Sequence, residues 1–150
     1  MTLARIIASG LGSGHAPRAP GTVASLLAVL LGIPLMRAPS GTLALATAAA
    51  SLGGLWAIRA AKVDGDPGWV VIDEVAGQWL ALLGLARPTA LGLLAAFTLF
   101  RLLDIAKPGP IGWADRQGGA SGIMADDLLA GALVAGVLWA ARTHWPMFFS

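Results

Sequence analysis

The stretch "GGASGIMADDLLAG", residues 118–131, sets two adjacent carboxylates, Asp126 and Asp127, behind a glycine-rich segment and directly before an apolar run. How that pair is read decides how the rest of the chain is read. Across 150 residues the hydrophobic fraction is 57% and the charged fraction 12%, with a mean hydropathy of +0.76. Soluble domains average roughly 45–50% apolar and about 25% charged, so the balance here points to lipid. Asp126 alone fits the N-cap of the last helix, where the helix dipole favours a negative charge. Asp127 needs a separate reason, because a carboxylate at the edge of a lipid-facing helix is costly unless it is paired or binds a cation.

Working outward from the pair, five apolar segments follow one another: 22–36, 41–58, 69–85, 88–103 and 128–141. Each is apolar around most of its circumference, so none has a water-facing side. Sixteen residues of helix span about 24 Å, somewhat short of a hydrocarbon core of about 30 Å. The breaks carry turn residues: "RAPSG" at 37–41, "KVDGDPG" at 62–68, "ARP" at 86–88, and the polar stretch 107–127. Near the N-terminus Leu3, Ile6, Ile7 and Leu11 recur at helical spacing, which predicts a short helix lying in the membrane interface. The expected fold is therefore all-α and polytopic. It has about five apolar helices plus the short N-terminal one, in a single domain over residues 1–150, with polar active-site loops on one face.

Alternating the connections across a bilayer gives a test of this reading. Arg5, Arg18, Arg59, Lys62, Arg101, Lys107 and Arg116 fall on the N-terminal side, and Arg37, Arg87 and Arg142 on the other, with the chain end at Ser150. Seven against three makes the N-terminal side cytoplasmic. All eight acidic residues also fall on that side or within a turn or two of it. A soluble helical bundle with an alanine-rich core is the alternative, and it leaves this sorting of charge unexplained.

Composition removes several classes of function. With no cysteine, thiolate metal sites, disulfides and cysteine-nucleophile chemistry are excluded. The net charge of +2 is small and its basic residues are scattered, which argues against nucleic acid. The opening "MTLARIIASGLGSG" lacks a clean small-residue cleavage site, so a cleaved signal peptide is not expected. Nothing calls for an obligate protein partner.

Three polar clusters remain, and the topology brings them to one face: "IDEVAG" at 72–77, "RLLDIAKPGPI" at 101–111 and "GGASGIMADD" at 118–127. Their carboxylates, Asp73, Glu74, Asp104, Asp126 and Asp127, are best read as a site for a hard divalent ion such as Mg²⁺, which takes oxygen ligands and substrate phosphate. Asp73 and Glu74 lie about 100° apart on a helix, so one of them is expected to dominate. Arg101 and Asp104, at i and i+3, form either an intrahelical ion pair or a phosphate clamp. Pro108 disfavours helix at Lys107, which holds its ammonium either near the carboxylates or at the lipid headgroups. Gly119 and Gly122 are candidates for a loop whose amides cradle an anion. "GSGHAPRAPGT" at 12–22 repeats that arrangement with His15 and Arg18 as candidate phosphate contacts. The six tryptophans read as interfacial anchors or packing.

Taken together, "GSGHAPRAPGTVASL", "VIDEVAG", "FRLLDIAKPGPI" and "GGASGIMADDLLAG" resemble the phosphatidylglycerophosphatase A family, in four blocks that match in order over most of the chain. The resemblance implies a magnesium-dependent phosphatase of the bacterial inner membrane, with its site facing the cytoplasm. Its lipid substrate is phosphatidylglycerophosphate, from which it removes the terminal phosphate. It also implies Asp73, Glu74, Arg101, Asp104, Lys107, Asp126 and Asp127 as functional positions, with Asp104, Asp127 and Lys107 nearest the chemistry. One departure is Leu103 before Asp104, where the family pattern has phenylalanine, a change of packing. Whether water or Asp104 attacks phosphorus is left open.

Rival classes fit less well. A CDP-alcohol phosphotransferase needs several acidic residues at fixed four-residue spacing, of which "DGDPG" at 64–68 offers a fragment. A small membrane transport or scaffold protein is expected to carry its charges at mid-membrane, not at one edge.

Overall fold

Alanine and leucine with few β-branched residues favour helix throughout, and the computed structural model, which describes residues 2–146, contains seven α-helices and, among the described residues, no strand. The expected end at Ser150 lies outside the described residues. The helices are α1 (Leu3–Ala8), α2 (Pro20–Arg37), α3 (Thr42–Ala60), α4 (Ile72–Leu82), α5 (Ala90–Ala106), α6 (Pro110–Asp115) and α7 (Gly119–His144), with a 3₁₀ turn at Ser13–His15. Pro20 opens α2 at a position where a missing N–H costs nothing. Thr89 caps α5, its hydroxyl oxygen accepting from the Gly92 N–H at 3.1 Å.

Three helices, α2, α3 and α7, are long and apolar enough to cross a membrane, where about five were expected. The shortfall is clearest at α4, whose 11 residues span about 16 Å. Residues 69–71, expected to be helical, are instead tied to α1, with the Val71 N–H donating to the Ala8 carbonyl at 2.9 Å. Outside the bundle, Leu45, Leu52, Leu94, Leu102 and Ile105 are exposed, a surface suited to lipid. α1 is the expected short N-terminal helix; its small residues Ala4 and Ala8 are buried against the bundle, and Leu3 and the following Leu11 face outward.

α4 is the hub, packed against α2, α3, α5 and α7. Its approach to α7 is a backbone contact. A Cβ on Gly131 would stand 2.2 Å from the Gly77 carbonyl oxygen, and one on Gly77 would stand 2.6 Å from the Asp127 carbonyl oxygen. Two apolar cores flank this contact, one around Leu82, Phe100, Ile111 and Leu138, the other around Ala8, Ile58, Val70 and Met124.

The largest departure from expectation is the stretch 107–127. It contains α6, and α7 begins at Gly119, nine residues before the expected start at 128. Glycine propensity argues for a loop here, but close packing of α6 on the first turns of α7 overrides it. Gly122 makes that packing fit, since a Cβ there would meet the Ala114 carbonyl oxygen at 3.1 Å. Asp126 is therefore not an N-cap. Both aspartates sit two turns inside a helix and are buried.

Candidate active site

The first turn of α4, the last two turns of α5 and the part of α7 two turns from its start meet at one end of the bundle. Asp73 and Glu74 come from the first, Arg101 and Asp104 from the second, and Asp126 and Asp127 from the third. Adjacent residues on a helix point about 100° apart, and the two aspartates of α7 accordingly serve two different groups.

Asp127 joins Asp73 and Glu74, and one ligand oxygen from each lies within 4.8 Å of the others. Its charged neighbours also include Asp104. The Arg101 guanidinium pairs with Asp104 and lies 3.9 Å from Glu74 Oε1. Four carboxylates thus face one guanidinium, which leaves three negative charges uncompensated if all are ionised. Asp73 and Asp127 are buried, and Asp73 Oδ1, Glu74 Oε2 and Arg101 Nε have no hydrogen-bond partner. Orphaned oxygens in a buried anionic group fit a hard divalent cation.

Asp126 faces the other way. Its Oδ2 accepts from Lys107 Nζ at 2.6 Å, and its Oδ1 accepts from the Asp127 N–H at 3.0 Å. Lys107 also donates to Asp115. The lysine reaches both because it ends α5 in a left-handed conformation, φ 45°. Burial alone pushes its ammonium down, but the hydrogen bonds to Asp115 and Asp126 prevail and hold it well above the ordinary lysine range. Asp66, at the rim, belongs to the same neighbourhood. Desolvation raises its carboxyl above the ordinary value, Lys107 opposes this, and Asp115 and Asp104 add to it.

The expected glycine cradle is absent as a loop: Gly119 is the first residue of α7 and Gly122 is buried within it. His15 and Arg18 are exposed. His15 stacks on Trp69 at 6.3 Å between ring centroids, and the Arg5 guanidinium lies 5.5 Å from the Trp69 ring. The "GSGHAPRAPGT" segment meets the carboxylates through a different residue, Gly21, where a Cβ would stand 2.1 Å from Glu74 Oε1 and 3.3 Å from Arg101 Nη1. Gly21, Asp66 and Asp115 were not read as site residues, because their relevance depends on contacts between distant segments. Gln78, one turn deeper on α4 than Glu74, was also missed. It is fully buried with neither side-chain polar atom partnered.

Comparison with known proteins agrees with the geometry. The sequence model of the family Phosphatidylglycerophosphatase A matches residues 6–142. The chain is 36% identical over 146 residues to Phosphatidylglycerophosphatase A of Escherichia coli (strain K12), covering 95% of this chain and 85% of that protein. It is 36% identical over 147 residues to the protein of the same name from Haemophilus influenzae, covering 95% and 90%. A third relative, from Bacteroides thetaiotaomicron, carries a phosphatidylinositol-3-phosphatase assignment in its name and is 38% identical over 149 residues, covering 89% and 92%. No solved structure gives a significant match. With the family model matching residues 6–142 and a relative of that name 36% identical over 95% of the chain, the protein belongs to the phosphatidylglycerophosphatase A family.

Proposed function

We propose that the chain hydrolyses the terminal phosphomonoester of phosphatidylglycerophosphate, giving phosphatidylglycerol and inorganic phosphate. The observation that carries this reading is the buried Asp73, Glu74 and Asp127 group with its unpartnered oxygens, in a chain of this family. These three residues would hold Mg²⁺, with Asp104 as the further candidate ligand, whereas Asp126, expected as a ligand, is turned to Lys107. Bound there, such an ion supplies charge neutralisation of the phosphomonoester and a lowered pKa for water.

The chain's own residues supply the rest. Arg101 holds Asp104 in place and keeps an unpartnered Nε–H for a phosphate oxygen. At the start of α2 the Gly21 and Thr22 N–H groups precede any intrahelical partner, and the helix dipole adds positive potential beside Glu74 and Arg101. Arg18 gives the rim a positive character toward an anionic headgroup, with His15 beside it as a hydrogen-bonding group. In the reaction, an oxygen of water bonds to phosphorus and the P–O bond to the glycerol breaks. The leaving oxygen ends as a hydroxyl. Asp104, oriented by the Arg101 guanidinium, is placed as the base that takes a proton from the attacking water and returns it to the leaving oxygen. Lys107 offsets one of the two charges of Asp126 and Asp115 beside the site and places its ammonium near the transferring phosphoryl group.

The seven-to-three bias of basic residues supports placement in the bacterial inner membrane with the site facing the cytoplasm. The Bacteroides relative favours one second reading, a 3-phosphorylated inositol lipid as substrate. Both lipids present a phosphomonoester on a headgroup. The deciding experiment measures phosphate release by the purified protein from each lipid, with Mg²⁺ and with a chelator. Magnesium-dependent release from phosphatidylglycerophosphate is expected. Release only from the inositol lipid would move the substrate assignment, and no release from either would refute the reading.

A further inference from the structure

On the side of α4 away from α7 the helices leave an apolar cleft in two lobes. One lobe, about 370 Å³, lies between α1, α3 and α4, with Ala46, Ala49 and Ile72 in its wall. The other, about 320 Å³, lies against α2. Gly10, Leu11, Leu31 and Val75 line both, so the lobes are joined. The polar groups in the walls are already used: the Trp79 Nε1–H donates to the Ala28 carbonyl at 2.8 Å, and the Ser13 hydroxyl donates to the Gly10 carbonyl at 2.9 Å. Nothing in the cleft selects a polar ligand.

We propose that this cleft seats an acyl chain of the lipid whose headgroup phosphate occupies the carboxylate site. The inference rests on the lipid-phosphatase reading above and adds where the rest of the substrate lies. Three observations favour an acyl chain over other occupants. The first is continuity: residues 10–24 border both places, with Gly10, Leu11, Ser13 and Ala24 in the cleft walls and Gly21 against Glu74. The second is charge. Arg5 and Arg18 stand on the segments at the cleft's site end, Arg5 gathered with His15 on Trp69, so an apolar slot carries a cationic rim suited to an anionic lipid. The third is Leu11, which is 80% exposed and holds a left-handed backbone at φ 59° where both lobes open. Leucine is disfavoured there, and an exposed leucine over an apolar slot gains burial when a hydrocarbon chain enters.

The test uses the full chain in lipid nanodiscs and a phosphatidylglycerophosphate analogue with a diazirine midway along one acyl chain. After photolysis, adducts are expected to concentrate on the segments containing Leu11, Leu31 and Ala49. They should fall sharply in Ala49→Trp, which fills the wall, and in Leu11→Asn, whose new side chain accepts a left-handed backbone. Adducts spread evenly over the outward leucines Leu45, Leu94 and Leu102, or unchanged in both variants, would overturn the proposal. Turnover gives a second reading. Ala49→Trp should raise KM for the long-chain substrate about tenfold and leave kcat/KM for the deacylated headgroup unchanged, the pattern of lost uniform binding. Equal losses on both substrates would refute an acyl-chain role. A wild-type protein that labels in the cleft but releases no phosphate fails the functional reading alone, and one that turns over without labelling there fails the cleft alone.

Discussion

Replacing Gly131 by alanine tests whether the contact between α4 and α7 sets the site. The added Cβ would stand 2.2 Å from the Gly77 carbonyl oxygen, where ordinary contact begins at 3.4 Å, so the two backbones must part by about 1.2 Å. Neither side offers a flexible side chain that could yield instead. Overpacking of this kind typically costs about 1–3 kcal/mol of stability. The larger effect is expected on turnover. Gly131 lies one turn from Asp127 and Gly77 one turn from Asp73, so separation at this point displaces the carboxylates of α7 from those of α4. Misplacement by about 1 Å can cost on the order of 10²-fold in rate. Gly136→Ala is the control. It lies on the same helix with nothing within 4 Å of its Cβ, and the propensity gain of alanine in a helix should leave it as stable as wild type or better by about 0.5–1 kcal/mol. The assays are thermal unfolding in detergent and kcat for phosphate release at saturating Mg²⁺. Wild-type melting and wild-type kcat in Gly131→Ala would refute the backbone contact. A lowered melting temperature with unchanged kcat would refute its hold on the site.

Asp127→Asn is expected to abolish phosphate release without unfolding the protein, because it removes one of the three oxygens grouped with Asp73 and Glu74; near wild-type activity would end the metal-ligand assignment. Lys107→Met should lower kcat by roughly 10²-fold, about 2.7 kcal/mol for a lost electrostatic contact to the transferring group; a kcat within about threefold of wild type, roughly 0.7 kcal/mol, would return Lys107 to a structural role. Chelation should stop turnover and also lower the melting temperature, since a cation that binds only the folded state stabilises it; melting that is indifferent to chelator and to added Mg²⁺ would argue against a cation in the carboxylate group. A topology reporter inserted at Gly65 should read as cytoplasmic and one at Gly41 as periplasmic; the same location for both would overturn the expected alternation of crossings.

Much of the site could be read from the chain because its ingredients are chemically costly in this setting. Carboxylates at 73, 74, 104, 126 and 127 in so apolar a sequence had to be explained, and the structure brings Asp73, Glu74, Asp104 and Asp127 together. The division between Asp126 and Asp127 escaped, because it depends on α7 starting at Gly119, and helix propensity alone gives glycine-rich segments to loops. Asp115 and Asp66 escaped for a related reason: their link to Lys107 follows from its left-handed backbone and from the path of the chain around it. The glycines that let α4 lie on α7 look, in a sequence, like any others. Their necessity appears only when the opposing carbonyl is placed.

The opposed orientation of Asp126 and Asp127 has a consequence for how α7 finds its seat. A helix apolar on nearly every side has little to tell it, inside a bilayer, which way to turn or how deep to sit, since lipid and protein interior are almost equally good solvents for leucine. Two neighbouring charges with separate destinations remove that freedom. One must reach the lysine that ends α5 and the other the carboxylates of α4, and a single rotation about the helix axis meets both demands. Inserting one residue between Met124 and Asp126 would advance the pair by about 100° and leave neither with its proper neighbour. The pair then acts as an angular key during assembly, selecting the one seating of α7 in which the site is complete.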